Sequence, residues 1–265
     1  MPNTYNFSLS QLPERTAKPR ESGLNMVMDK GLSLREAEDF IEMAGNYVDL
    51  VKLGFGTSIV SPNLDKKIAF YQEAGIPVYF GGTLFEAFLV RGQMDDYVSL
   101  LKKYNITHVE VSDGSLEMDE DTKCDYIRRL AKDFIVISEV GSKDAEKIIP
   151  PYKWINMMQK ELDAGVWKVI AEARESGNVG IFRGTGEVRS GLVEEILTKI
   201  PQDKIIWEAP QKGQQLWFIK QYGANVSLGN IPPHEVIALE TMRIGLRGDT
   251  FGFYLDKSVN VSINK

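Results

Sequence analysis

The sequence predicts an α/β fold, a single (β/α)8 barrel domain over residues 1–265, on three observations. Eight short β-like runs alternate with amphipathic segments of helical period, and a repeated strand, helix, strand unit implies a parallel sheet. Glycines stand just before several runs, where helices are expected to stop. Four runs in the middle of the chain carry a glutamate near their C-terminal ends, the end at which barrel enzymes do chemistry. Eight units with no break in rhythm favour closure over an open sheet with a switch point.

An N-terminal arm, residues 1–20, contains Pro13 and Pro19 and precedes the first run, Leu24 to Met28. Ser33 to Ala44 reads as a helix stopped at Gly45, ahead of a second run at Tyr47 to Leu53. Asn63 to Ala74 repeats the pattern and ends at Gly75, before Ile76 to Phe80. Asp95 to Tyr104 leads into Ile106 to Ser112, and Asp119 to Lys132 into Phe134 to Val140. Tyr152 to Ala164 stops at Gly165, where Val166 to Ala173 begins. Val188 to Ile200 precedes Lys204 to Trp207, and Gln214 to Tyr222 stops at Gly223 before Ala224 to Leu228. Glu235 to Leu246 closes the series, and residues 254–265 read as a tail.

With 43% hydrophobic residues, a chain of this length can bury one large core. A net charge of −6 argues against an extended nucleic-acid surface, while leaving room for a local basic pocket around a small anion. Cys124 is the only cysteine, so there is no intrachain disulfide. No apolar run approaches the roughly 20 residues of a membrane helix, and the first residues lack a secretory pattern. The expectation is a cytoplasmic homo-oligomer that works on small molecules, with no nucleic acid and no membrane as partner.

The four glutamates are Glu110 in HVEVSDG, Glu139 in IVISEVG, Glu172 in KVIAEAR and Glu208 in IIWEAP. Strand side chains alternate between two faces, so each acid can look inward between its neighbours. Carboxylates aimed into a barrel are costly unless cations or a metal meet them. The loops after the strands hold cations at Lys30, Lys52, Lys143, Arg174 and Lys212, and further oxygen ligands at Asp29 and Asp113. An oxygen-rich set beside only two histidines, His108 and His234, suits magnesium better than zinc and argues against a catalytic triad. The cations suit a substrate that carries phosphate, carboxylate or sulfonate groups.

Each residue also has a plainer role. Lys168 and Glu172 can pair on one face of the sixth strand, and FRGTGEVRSG (residues 182–191) reads as a flexible turn or as a phosphate cradle. Cys124, Trp167 and Trp207 read as packing. GFGTS lacks the spacing of a dinucleotide fingerprint. Lys168 keeps a class I aldolase open, because such barrels place a Schiff-base lysine on the sixth strand.

The loop words VMDKGL, VKLGFGTS, YFGGTLFE, VEVSDGS, SEVGSK, EARESG, EAPQK and LETMRIGLRGDTFG, in this order between Gly23 and Gly252, closely resemble the phosphosulfolactate synthase family. The resemblance implies a (β/α)8 lyase that adds sulfite to phosphoenolpyruvate with magnesium, giving (2R)-phospho-3-sulfolactate. In the family this step opens coenzyme M biosynthesis in methanogens and supplies sulfolactate in sporulating bacteria, while a plant branch is associated with heat tolerance, which leaves a non-catalytic stress protein as a further alternative. It implies a metal held by members of the set Glu110, Asp113, Glu139 and Glu172. Lys30, Lys52, Thr83, Ser112, Arg174 and Lys212 are expected around the substrates. The family motif EVGxK maps onto Glu139 to Lys143, which implies Lys143 as the proton donor.

Overall fold

The computed structural model describes residues 5–142, 149–174 and 176–256. Eight parallel strands form the barrel: β1 (Asn25–Asp29), β2 (Leu50–Leu53), β3 (Val78–Phe80), β4 (His108–Val111), β5 (Ile135–Val140), β6 (Val166–Ala171), β7 (Ile205–Glu208) and β8 (Leu228–Ile231). Between and after them lie α1 (Leu34–Ala44), α2 (Leu64–Glu73), α3 (Gly82–Leu89), α4 (Met94–Lys103), α5 (Glu120–Leu130), α6 (Pro151–Asp163), α7 (Ser190–Leu197), α8 (Lys212–Tyr222) and α9 (Val236–Arg243). Hydrogen-bonded ladders run from β3 through β2, β1, β8, β7, β6 and β5 to β4, and β3 packs beside β4 to complete the ring. Apolar residues such as Val27, Val51, Ile137, Val169 and Ile206 are buried in the strands, and Phe40, Tyr71, Trp154 and Phe218 pack on them from the helices.

Local chemistry starts the helices where the sequence says. Ser33 accepts from the Glu36 amide while the Glu36 carboxylate accepts from the Ser33 amide, a reciprocal cap worth about 1 kcal/mol. Asp119 does the same work for α5 by accepting from the Thr122 amide.

Three elements differ from the sequence-based expectation. Strand β8 begins at Leu228 rather than at Ala224, because the carbonyls of Ala224 and Val226 accept hydrogen bonds from the buried Arg243 guanidinium. Helix α3 escapes notice because it is apolar on most sides, packed between β4 and α4, and so shows no polar stripe. The N-terminal arm is not loose from Arg15 onward: Arg15 pairs with Glu240 at 2.8 Å, Arg20 pairs with Asp49 at 3.0 Å, and the segment caps the N-terminal end of the barrel.

Lys168 belongs to that cap, since its ammonium donates to the Glu21 carbonyl at 2.8 Å and the Asp203 carbonyl at 2.6 Å. It therefore pairs away from Glu172. Trp167 is half-buried there, its indole donating to Glu21, whereas Trp207 stacks on Phe218 in the core. Among the described residues no helix is long and apolar enough to cross a membrane.

Candidate active site

Polar residues at or beside the C-terminal ends of short strands deliver their side chains to one mouth of the barrel. Lys52 of β2, Glu110 of β4, Glu139 of β5, Glu172 just past β6 and Glu208 of β7 are all buried, at 5% exposure or less. The Lys52 ammonium lies 3.0 Å from Glu110, 3.6 Å from Glu139 and 3.7 Å from Glu208. Burial alone would lower its pKa, but Glu110, Glu139 and Glu208 together hold it well above the ordinary lysine value. Tyr79, the register partner of Lys52 on β3, is wholly buried, and burial with the Glu110 charge raises its phenol.

A cavity of about 180 Å³ opens above these groups, lined by Met28, Lys52, Phe55, Gly82, Thr83, Glu110, Glu139, Glu172, Arg174 and Asn230. The backbone is shaped to fit. A Cβ on Gly82 would stand 2.2 Å from the Ser112 hydroxyl and 2.9 Å from a Glu110 oxygen, so glycine lets the start of α3 close on both. The Gly82 amide then donates to Glu110 at 2.6 Å, placing a carboxylate at a helix N-terminus, where the dipole favours it.

Of the residues named from sequence, Lys52, Thr83, Glu110, Glu139, Glu172 and Arg174 line this cavity. Four others do not line it. Ser112 donates to Glu86 at 2.5 Å, a buried acid of α3 that no local pattern announced. Asp113 turns to the buried Lys123 of α5 at 2.9 Å, which also holds the Glu139 carbonyl at 2.6 Å. Lys212 pairs with Asp249 at 2.5 Å, and Lys30 is exposed. Asp29 is occupied as well, accepting from the Gly31 and Leu32 amides and pairing with Lys67 at 2.8 Å. Within residues 182–191, an antiparallel bridge between Phe182 and Val188 closes a turn, and Ser190 and Gly191 already belong to α7. Lys143 lies outside the described residues.

The oxygens of Glu139, Glu172 and Glu208 fall within 4.8 Å of one another, a spacing that suits one cation. This grouping differs from the set expected from sequence: Glu208 joins it, while Glu110 is taken up by Lys52 and Gly82, and Asp113 by Lys123. Glu208 was visible as one of the four inward acids. All three donors are carboxylates and His108 sits at the other end of β4 against Trp167, so the chemistry fits a hard cation such as magnesium. Three buried acids share the one Lys52 ammonium, and Glu172 adds a fourth beside two of them, more carboxylates than one lysine can pair.

The acid excess has a pH signature. Burial raises Glu208 to about 7 from an ordinary 4.5, against the pull of Lys52, and it raises Glu110 as well. A carboxyl whose folded pKa lies above its unfolded value gives stability that is complete below the unfolded pKa and is lost as pH rises through the folded one. Metal-free protein is thus expected to lose stability between about pH 4.5 and pH 7 from this group. Thermal melts across that window, compared with Glu208→Gln, check it; identical slopes in both proteins would show that Glu208 does not hold the proton.

A family model described as (2R)-phospho-3-sulfolactate synthase matches residues 13–249. The phosphosulfolactate synthase of Bacillus subtilis is 42% identical over 249 residues, covering 93% of this chain and 98% of the relative. The phosphosulfolactate synthase of Methanothermobacter thermautotrophicus is 40% identical over 256 residues, covering 94% and 98%. Among solved structures, 3-hexulose-6-phosphate synthase from Salmonella typhimurium superposes with a TM-score of 0.56 at 14% identity, over 84% of this chain and 100% of that one. At that identity the likeness is one of fold.

Proposed function

The chain belongs to the (2R)-phospho-3-sulfolactate synthase family, and from that premise we propose that it adds sulfite to C3 of phosphoenolpyruvate in a magnesium-dependent reaction giving (2R)-2-O-phospho-3-sulfolactate. The observation that carries this reading is the ring of buried carboxylates around Lys52 at the C-terminal mouth. The sulfur lone pair of sulfite forms the new bond to C3, the C2–C3 π electrons move onto C2 and the attached carboxylate, and C2 then takes a proton. Charge therefore builds on a carboxylate that is already negative.

Glu139, Glu172 and Glu208 are the residues that would hold magnesium, with Glu110 fixed beside them. A magnesium ion held by them would supply positive charge to offset the negative charge that builds on the substrate carboxylate. Lys52 keeps the acids together and adds a cation at the floor of the cavity. Arg174 and Thr83 face the same space and are suited to phosphate or sulfite oxygens, which otherwise repel one another. Lys143, by its place in the EVGxK motif, is the proposed acid at C2. Membership of the carbon–sulfur lyase class, a cytoplasmic location and a homo-oligomeric state belong to the same proposal.

A Schiff-base aldolase finds no support in the geometry, because Lys168 is bound into the cap at the opposite end of the barrel. Phosphorus NMR of the purified protein with phosphoenolpyruvate, sulfite and magnesium tests the proposal. Phosphoenolpyruvate should disappear only when sulfite is present, stop on addition of chelator and resume with magnesium. Consumption that continues unchanged in excess chelator would remove the metal from the account.

A further inference from the structure

Asn230 stands out among the cavity residues. It lies in β8, where the ladder to β1 slips: Asn25 pairs with Leu228 but Val27 pairs with Ile231, so three steps on β8 face two on β1. Such a bulge re-aims a side chain and is a common device beside active sites. Asn230 takes the left-handed backbone that this requires, at φ 56. Phe55 at φ 32 and Arg174 at φ 57 do the same, so three of the six described non-glycine residues with positive φ line this one cavity. Left-handed non-glycine residues concentrate where surrounding structure holds them for a purpose.

Asn230 is only 4% exposed, yet its Oδ1 is buried without a hydrogen-bond partner. The two ends of an amide are interchanged by a flip, so whichever end is buried there, one polar group of this side chain is left unmet. A buried amide in that state opposes folding, as does its backbone. Glycine would relieve both. The neighbouring Gly229 shows how close this point is to the acids, since it is the register partner of Glu208 and its carbonyl accepts from the Ala209 amide at 3.0 Å.

We infer that Asn230 is a specificity residue that touches the bound substrate, its amide N–H donating to an oxyanion of the enol phosphate from the β8 wall of the cavity. A neutral donor suits that position: it recognises an oxyanion without cancelling the charge on which metal binding depends. The inference rests on the phosphosulfolactate synthase reading and adds to it a contact on the β8 wall.

The test combines thermal shift and steady-state kinetics on wild type, Asn230→Gly and Asn230→Asp, with phosphoenolpyruvate and magnesium as the probe. Asn230→Gly should melt no lower than wild type, because glycine adopts φ 56 freely and leaves no stranded amide. It should nonetheless raise KM for phosphoenolpyruvate roughly tenfold or more and shrink the ligand-induced shift. Asn230→Asp should bind more weakly still, with a negative charge facing an anion. A wild type that phosphoenolpyruvate fails to stabilise would overturn the functional reading together with this contact. A wild type that responds, beside an Asn230→Gly variant with equal KM and equal shift, would overturn the contact alone.

Discussion

Lys52→Met is expected to lower turnover by about 10³-fold and to reduce Tm by roughly 10 °C. Lys52 has an ammonium within 3.7 Å of three buried carboxylates, and methionine fills its space without its charge. Removing one member of a buried ion pair costs about 3–5 kcal/mol, because the partner stays behind uncompensated, and here three partners stay. The stability loss should grow from pH 5 to pH 8 as the remaining acids ionise, and magnesium should restore more of it than in wild type, since a cation then has no ammonium to compete with. Melting curves with magnesium and with chelator check both points. A variant that melts like wild type at every pH would mean the acids are held by something other than Lys52.

Lys143→Ala is expected to reduce kcat by about 10² to 10⁴ while leaving KM for phosphoenolpyruvate within a few fold, the range general acid catalysis supplies. Its Tm is expected to match wild type, so that the loss of turnover is read on folded protein. The split between kcat and KM separates a proton donor from a phosphate-binding lysine, whose loss would act mainly on KM. If Lys143→Ala keeps most of its turnover while Arg174→Ala abolishes it, the acid at C2 is a different group.

The barrel was legible because its signals are local. Glycines after helices and short apolar runs each act within a few residues, and seven of the eight expected runs overlap most of an observed strand. The eighth failed for a distant reason: Arg243, nearly twenty residues later, captures the carbonyls that the alternating pattern had assigned to a ladder. The inward acids were legible for the same local reason as the strands. Their division of labour was not. Which acid joins Glu139 and Glu172, and which sits on Lys52, depends on where the ring of strands brings β2 against β4 and β7, and no spacing along the chain encodes those distances. Lys123 behind Glu139 and Glu86 behind Ser112 were hidden likewise, as charged residues on helices that look solvent-facing until the partner arrives.

The most direct test of the central claim, addition of sulfite across the enol phosphate at this carboxylate mouth, is mass spectrometry of the product formed in deuterium oxide with magnesium, phosphoenolpyruvate and sulfite. One sulfonated product should appear, retaining its phosphate and carrying a single solvent deuterium at C2, and Glu139→Gln should form little of it although it remains folded. Free phosphate with no carbon–sulfur bond, or a sulfonate produced equally well by Glu139→Gln, would contradict the account.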